Sequence, residues 1–318
     1  MFEGIPVINL NIADGAYIPD HAEKLHAELA TQIVDAAKKF GFFQVSGHGI
    51  TSMELSNLLD ETRNFFDQSD IVKNAVRLND CHRGYIGYGH MRMRGSKYAD
   101  VKESFIFGMS NTHKSINPEK STLLNNWPSY KDRMKTVCSD VLSKANAVGR
   151  FMLSLLAMGL KIPEDTFIKE FNPPMTRGSL IHYPCVRNIV RSQHGIINSE
   201  HYGVAPHTDY GCITLVCQHG VGGLEVNIND QWCPVEPLEG VLVVNIGDLL
   251  ARWVNGYIKS TVHRVISQDS VDRYSFAVFI DPSPEATIGC IAIDNSPLRY
   301  QPVIAKNYIQ SRLIESRY

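Results

Sequence analysis

Ala205-Pro206-His207-Thr208-Asp209-Tyr210-Gly211-Cys212-Ile213-Thr214-Leu215 is the stretch around which the rest of the chain is organised. A His and an Asp, both metal-ligating residue types, stand two residues apart. They lie just ahead of the β-branched, apolar run Ile213-Thr214-Leu215-Val216, which reads as a strand after a turn that Gly211 allows. Residues i and i+2 of an extended chain project to the same side, so one imidazole and one carboxylate can face a single ion. Such a site needs further ligands from elsewhere in the chain.

Outward from this stretch, the sequence beyond Gly178 reads as short strands with turns between them: 178–183, 212–218, 223–228, 241–246, 262–267 and 274–280. Gly222-Gly223 and Asn227-Ile228-Asn229-Asp230 are turn signals, and Val241–Ile246 is apolar on both faces, as in a fully buried strand. Strands at this spacing predict a barrel or jelly roll. Ahead of them lies an α/β region. An edge strand is expected at Ile5–Leu10 because Pro6 cannot donate to a ladder. A helix follows to Gly41, then a strand at Phe42–Val45 and a helix at 52–66. Residues 79–103, rich in Gly, aromatic and basic side chains and without a period, read as long binding loops before a strand at Lys102–Gly108. Residues 110–126 read as surface loop. Helical spacing predicts a long helix from Tyr130 to about Leu156, a shorter one from Pro163 to about Phe171, and a terminal one over 302–318. The expected division of one structural unit is 1–175 (α/β with the binding loop), 176–285 (jelly roll) and 286–318 (loop and helix).

A third ligand is available at His263, in the β-type run Ser260–Ile266. Two His and one carboxylate form the facial triad of non-haem iron(II) oxygenases, which fills one face of an octahedron and leaves three positions for other ligands. A 2-oxo acid can occupy two of them and O₂ the third. Its far carboxylate needs a charged anchor, and Arg273-Tyr274-Ser275 supplies one, with Arg273 and Ser275 on the same strand face.

His207-x-Asp209, His263 54 positions after the Asp, and Arg273-x-Ser275 ten positions after that His together resemble the 2-oxoglutarate/Fe(II)-dependent dioxygenases. The branch is that of isopenicillin N synthase and the plant flavonoid and hormone oxygenases. Phe42–Ile50, Lys102-Glu103-Ser104-Phe105, Gly222–Val226 and Asn245–Leu249 are further family-like segments. Gly247–Trp253, with Lys259–Val265, is similar to thymine 7-hydroxylase-like members. The resemblance implies a mainly β fold with flanking helices around a double-stranded β-helix (jelly-roll) core. It implies Fe(II) on His207, Asp209 and His263, 2-oxoglutarate on Arg273 and Ser275, O₂ as second cosubstrate, and support by ascorbate. Tyr183 matches a cosubstrate-contacting Tyr, although Ile181-His182-Tyr183-Pro184 stands where many plant members have Asn-Tyr-Tyr-Pro. The Arg-x-Ser pair sets the chain apart from isopenicillin N synthase itself, which uses no oxo acid.

Composition narrows the partners. The 318 residues carry 31 Lys and Arg against 33 Asp and Glu, a formal net charge of -2, so no basic footprint for nucleic acid is expected. No apolar run is read as reaching the roughly 18 residues of a membrane span, and no signal peptide is evident at the start. Seven scattered cysteines without CxxC argue for reduced thiols in a cytoplasmic protein. The expected partner is a small-molecule substrate, with a monomer plausible.

Other residues carry two readings each. Arg92, Arg94 and Lys97 either recruit an anionic substrate at the site mouth or are solvated. Tyr85 and Tyr88 either line the substrate pocket or pack the loop, and Glu103 either orients a cation or substrate or makes a structural ion pair. Trp253 and Phe279 are expected in the core, as are Cys212 and Cys217, and His48 in a turn. His90, His182, His194, His201 and His219 have no spacing that marks them as ligands. The expected reaction is oxidation of an unactivated C–H bond, hydroxylation foremost, with desaturation or ring closure as alternative outcomes. A ligand receptor on the same fold and a hydrolytic zinc enzyme are the readings from other classes.

Overall fold

The computed structural model describes residues 4–12, 22–109, 125–129, 132–185, 187 and 202–315. Two sheets face each other. The major sheet has eight strands in the order β1-β2-β10-β7-β12-β5-β4-β3, and the minor sheet four in the order β6-β11-β8-β9. In chain order the strands are β1 (Val7–Asn9), β2 (Phe42–Ser46), β3 (Gly84–Ile86), β4 (Glu103–Gly108), β5 (Arg177–Tyr183), β6 (Val204–His207), β7 (Ile213–Cys217) and β8 (Leu224–Ile228). They continue with β9 (Gln231–Pro234), β10 (Leu242–Ile246), β11 (His263–Val265), β12 (Arg273–Ile280), β13 (Thr287–Ile288) and β14 (Val303–Ile304). The helices are α1 (Ala22–Lys39), α2 (Ser52–Phe66), α3 (Asp70–Asn74), α4 (Asp132–Gly159), α5 (Asp248–Trp253) and α6 (Ala305–Glu315). The paired sheets with flanking helices form the double-stranded β-helix core, and β1–β4 widen its major sheet.

Apart from the edge strand β1, whose Val7 and Asn9 are exposed, the strands of the major sheet are largely buried on both faces, and period-2 alternation divides their side chains between two apolar clusters. Leu180, Leu215, Val244, Phe276 and Val278 face α1, α2 and α4, whereas Phe42, Ile181, Val243 and Ala277 face the minor sheet. Gly149 lets α4 lie against the sheet, because a Cβ there would overlap the Ile280 side chain. α4 is long and apolar enough to cross a membrane by length and composition, which corrects the reading that no segment is. Here its apolar face is buried against the sheet and the helices α1 and α2. At α2 the Thr51 hydroxyl accepts the Glu54 N–H at 3.2 Å and Glu54 accepts the Thr51 N–H at 2.9 Å, a reciprocal cap. In the β8–β9 hairpin, Asn229 and Asp230 take φ of 53° and 64°, so the Asn-rich turn signal resolves into a two-residue loop with both φ positive.

The fold departs from the sequence reading in several places. β6 and β9 were not expected: each has only four residues and contains a Pro. The expected helix after Pro163 is a series of turns with a short 3-10 segment, Ile168–Glu170. The long loop contains β3, which pairs with β4. The last helix begins at Ala305, because Val303–Ile304 pairs with β13. Positions 130–131, 316–318, most of the expected loop at 110–126, and His194 and His201 lie outside the described residues.

Candidate active site

His207 ends β6 and His263 begins β11, and the two are paired directly across the minor sheet. Asp209 lies in the connection from β6 to β7, not at the head of the strand, so it approaches the two rings from the side of the major sheet. The three are the metal-competent cluster among the described residues. His207 Nε2 and His263 Nε2 lie 3.8 and 3.9 Å from Asp209 Oδ1, and the imidazole centroids are 4.2 Å apart.

The protonation states suit a cation. His207 Nδ1 faces the Ala205 carbonyl at 2.8 Å and His263 Nδ1 the Thr261 carbonyl at 3.1 Å. A carbonyl only accepts, so each Nδ1 carries the proton and each Nε2 turns a lone pair towards Asp209. Burial, reinforced by the neighbouring His263, pushes the His207 pKa well down, which keeps the ring neutral. Burial opposes ionisation of Asp209, but His263, His207, Thr214 and Asn245 outweigh it and lower its pKa. Thr214 Oγ1 and Asn245 Nδ2 donate to Asp209 Oδ2 at 2.5 and 2.7 Å, which leaves Oδ1 as the oxygen turned towards the two Nε2 atoms. Phe42 packs edge-on against His263 at 5.1 Å. Two neutral nitrogen donors and one carboxylate oxygen fit a divalent cation such as Fe(II).

The cavity between the sheets includes this cluster and follows the cavity face of β12 to Arg273. Arg273 is only 1% exposed. Its Nε donates to Gly222 O at 3.0 Å and its Nη2 to Gln218 Oε1 at 3.3 Å, while Nη1 has no hydrogen-bond partner among the described residues. The guanidinium lies 4.8 Å over the ring of Tyr183, its cross-strand partner. Ser275 and Tyr183 both line the cavity. A buried cation with an unmet donor, beside a hydroxyl, fits the far carboxylate of a dicarboxylic oxo acid. His207, Asp209, His263, Arg273, Ser275 and Tyr183 thus share one cavity.

The expected substrate residues are placed differently. Tyr85, Tyr88 and Glu103 are on the opposite face of the major sheet: Glu103 accepts from Tyr85 OH at 2.6 Å and Tyr88 OH at 2.7 Å and pairs with Lys73 at 2.9 Å. Lys102, just before β4, and Ser104 and Ile106 on it line the cavity, so Glu103 takes the structural ion-pair reading. In the loop, Met91 and Met93 face inwards while Arg92, Arg94 and Lys97 are exposed. Arg94 pairs with Glu315 of α6 at 3.0 Å, and Lys97 lies 5.0 Å over the Tyr98 ring. Phe279, expected in the core, lines the cavity, whereas Trp253 packs edge-on against Phe167.

Sequence reading also missed Arg177, Lys102, Thr214, Asn245 and Gln218. Strand parity gives Arg177 and Phe279, each an even number of residues from Tyr183 and Ser275 respectively. Arg177 pairs with buried Asp281 at 3.3 Å and lies 5.3 Å over the Phe279 ring. Lys102 is 3.3 Å from buried Asp100.

Known proteins are similar to this chain in sequence and fold. Residues 180–282 match the 2OG-Fe(II) oxygenase superfamily, and residues 5–130 match the family described as non-haem dioxygenase in morphine synthesis N-terminal. The chain is 30% identical to the 2-oxoglutarate-Fe(II) type oxidoreductase hxnY of Emericella nidulans over 290 residues, 86% of this chain and 79% of that protein. It is 29% identical to the 2-oxoglutarate-dependent dioxygenase caaD of Aspergillus niger, over 96% of this chain and 92% of that one. The crystal structure of full-length Neurospora crassa thymine 7-hydroxylase in complex with alpha-KG superposes with a TM-score of 0.81 at 27% identity, covering 98% of this chain and 96% of the other. Identity of this extent, together with a shared fold, means that the chain belongs to the 2OG-Fe(II) oxygenase superfamily and is a dioxygenase dependent on Fe(II), 2-oxoglutarate and O₂.

Proposed function

We propose that this dioxygenase hydroxylates an unactivated C–H bond of a small molecule seated at the Arg177–Phe279 end of the cavity. Fe(II) is assigned to His207 Nε2, Asp209 Oδ1 and His263 Nε2, and the far carboxylate of 2-oxoglutarate to Arg273 and Ser275, with Tyr183 against the guanidinium. When bound, the iron supplies the oxidising chemistry by which 2-oxoglutarate, O₂ and R–H become succinate, CO₂ and R–OH. The chain's own residues do the rest. Thr214 and Asn245 fix the Asp209 carboxylate, and Ala205 O and Thr261 O set the tautomers of the two imidazoles. Phe42, Met91, Met93, Ile181 and Leu313 give the cavity apolar walls.

The observation that carries this reading is the unmet Nη1 of a fully buried arginine on the same cavity as the triad. On the substrate side, Arg177, whose Nη2 is paired with Asp281, keeps its other donors next to an aromatic face, which suits a carboxylate or carbonyl oxygen on the substrate. An anionic substrate is therefore received inside the cavity, since Arg92, Arg94 and Lys97 are turned out of it. The test is a metabolite-extract screen by mass spectrometry with and without 2-oxoglutarate. A product that gains one oxygen atom supports hydroxylation. Loss of two hydrogens assigns desaturation or ring closure instead, and the absence of any 2-oxoglutarate-dependent product, with iron bound, overturns the proposal.

A further inference from the structure

Behind the cosubstrate anchor, on the helix-facing side of the major sheet, lies a set of ionisable groups that the chemistry above does not use. Its centre is His182, on β5 between the cavity-facing Ile181 and Tyr183. His182 Nδ1 is 2.8 Å from Glu103 Oε1 of β4, and Nε2 is 3.4 Å from Asp272 Oδ2, immediately before β12. The second contact has ion-pair and not hydrogen-bond geometry. The ring stacks on Tyr274 with centroids 4.6 Å apart and planes 9° from parallel. Tyr88 OH is 3.0 Å from Nδ1, Phe66 of α2 closes the remaining side, and Arg63 of α2 lies over the far ring, Tyr274. Glu103 is satisfied in turn by Lys73 of α3, Tyr85 and Tyr88. Asp272 Oδ1 accepts the Cys185 N–H at 2.7 Å.

These contacts clamp two strands at one point. Register pairs Arg273 with Tyr183 and Tyr274 with His182. His182 and Asp272 are thus each one residue from a member of the anchor pair, and Asp272 also ties down the chain just after β5. We propose that His182 is a positioning residue for 2-oxoglutarate: as an imidazolium between Glu103 and Asp272 it locks β5 to β12 and so holds Tyr183 and Arg273 in the geometry that receives the far carboxylate. This rests on the assignment of that carboxylate to Arg273.

The contacts of the two ring nitrogens favour the imidazolium. A neutral ring with its proton on Nδ1 turns a lone pair towards the Asp272 carboxylate. The protonated ring faces a carboxylate from each nitrogen, while Lys73 is shared between Glu103 and Asp70 at 2.9 and 3.5 Å and Arg63 lies beyond Tyr274. Burial alone lowers the His182 pKa, but Asp272 and Glu103 outweigh it and raise it above the usual value. Asp272 is pulled down to about 2, chiefly by His182. For Glu103, burial acts upwards, and His182, Tyr85, Lys73 and Tyr88 bring the pKa down. Burial, with Glu103, raises Tyr85 and Tyr88. A raised His pKa means that the clamp is complete below the ordinary histidine range and is lost as pH rises through the folded-state value. The carboxylates stay ionised and the tyrosines neutral across that window, so His182 is the group in this set that changes charge there.

The test is calorimetric binding of 2-oxoglutarate to the anaerobic, Fe(II)-loaded full chain from mildly acidic to alkaline pH, with the His182 pKa read by NMR on the metal-free protein. Expected for the native chain is an affinity that falls about tenfold across the His182 titration, the equivalent of one pK unit of coupling. His182→Gln binds weakly with a flat profile. Asp272→Asn, nearly isosteric and the variant that carries the test where His182→Gln does not fold, lowers the His182 pKa and moves the inflection to lower pH. A His182 pKa at or below the ordinary value, or the same affinity and pH profile in the native chain and both variants, overturns the proposal. Arg273→Met separates the two layers: if it leaves 2-oxoglutarate affinity unchanged, the anchor assignment itself fails, and the clamp with it.

Discussion

Replacing Arg273 by Met separates what this residue does for the fold from what it does for the cosubstrate. The guanidinium is 1% exposed and hydrogen-bonds to two neutral acceptors, Gly222 O and Gln218 Oε1, with no carboxylate to meet its charge among the described residues. Met keeps most of the buried volume and removes the charge. Losing the two hydrogen bonds costs about 1 kcal/mol each, whereas relieving an uncompensated buried cation returns several kcal/mol. The thermal midpoint without cosubstrate is therefore expected to stay level or rise. Binding moves the other way. A charge-assisted hydrogen bond contributes about 1.5–3 kcal/mol, and at about 1.4 kcal/mol per decade its loss weakens 2-oxoglutarate by ~10- to ~150-fold. The assay pairs a thermal melt of the cosubstrate-free protein with the KM for 2-oxoglutarate from succinate release. Arg273→Lys falls between, since an ammonium cannot make the bidentate fork. A variant that melts far lower but keeps the native KM for 2-oxoglutarate would show that Arg273 is held for packing, and the anchor reasoning would fail.

Three further outcomes follow from the same geometry. Asp209→Ala removes the carboxylate towards which both Nε2 atoms turn, so iron content measured by elemental analysis and succinate production are both expected to drop to background; an iron-loaded, active variant refutes the assignment. Phe279→Ala opens the cavity wall next to Arg177 and should raise the KM of the primary substrate about tenfold or more, with the KM for 2-oxoglutarate unchanged, because one buried aromatic contact is worth ~1–3 kcal/mol. A parallel rise in both constants would mean that the whole site had shifted. Arg94→Ala breaks an exposed ion pair with Glu315, of a kind that contributes ~0–1 kcal/mol, and should leave both the melt and the substrate KM nearly unchanged; a tenfold rise in that KM would restore the basic loop as an anion receiver.

The triad and the Arg-x-Ser pair were legible in the sequence because each rests on a local rule: ligand types two residues apart, and strand parity. Parity also gives Arg177 and Phe279 once Tyr183 and Ser275 are placed. It fails at Lys102–Phe107. Both faces of β4 are buried, so Lys, Ser and Ile alternate with Glu, Phe and Phe, and neither set is marked as the inner one. Tertiary contacts decide it, among them the pairing of Glu103 with His182, residues 79 positions apart. In the loop the same alternation carries Met91 and Met93 inwards and the cations out, so a run that reads as basic in one dimension presents sulfur and methyl groups to the cavity. β6 was hidden because a four-residue strand containing Pro206 has too little pattern to read.

Gly211 shows how a correct residue can be read for the wrong reason. It stands in the connection that carries Asp209, and its sequence context suggests a turn that needs glycine's freedom. Its φ is not among the positive ones; what it provides is room, since a Cβ there would overlap the Asp281 carboxylate, and one on Gly247 would overlap Gly211 O. Asp281 uses that room to accept the Cys212 N–H at 3.0 Å while pairing with Arg177. The backbone around Asp209 is then fastened to the β10–α5 corner: Asp248 N–H donates to Asp209 O at 2.7 Å, Gly247 N–H to Cys212 O at 2.9 Å, and Thr208 Oγ1 to Asp248 Oδ2 at 3.1 Å. Asn245-Ile246-Gly247-Asp248 is therefore the frame for the carboxylate: Asn245 holds its Oδ2, and Gly247 and Asp248 hold the chain that carries it. A ligand from an irregular connection thereby gains the rigidity of a strand, which a site for a divalent cation requires if its third ligand is to stay aligned with two histidines fixed on the opposing sheet.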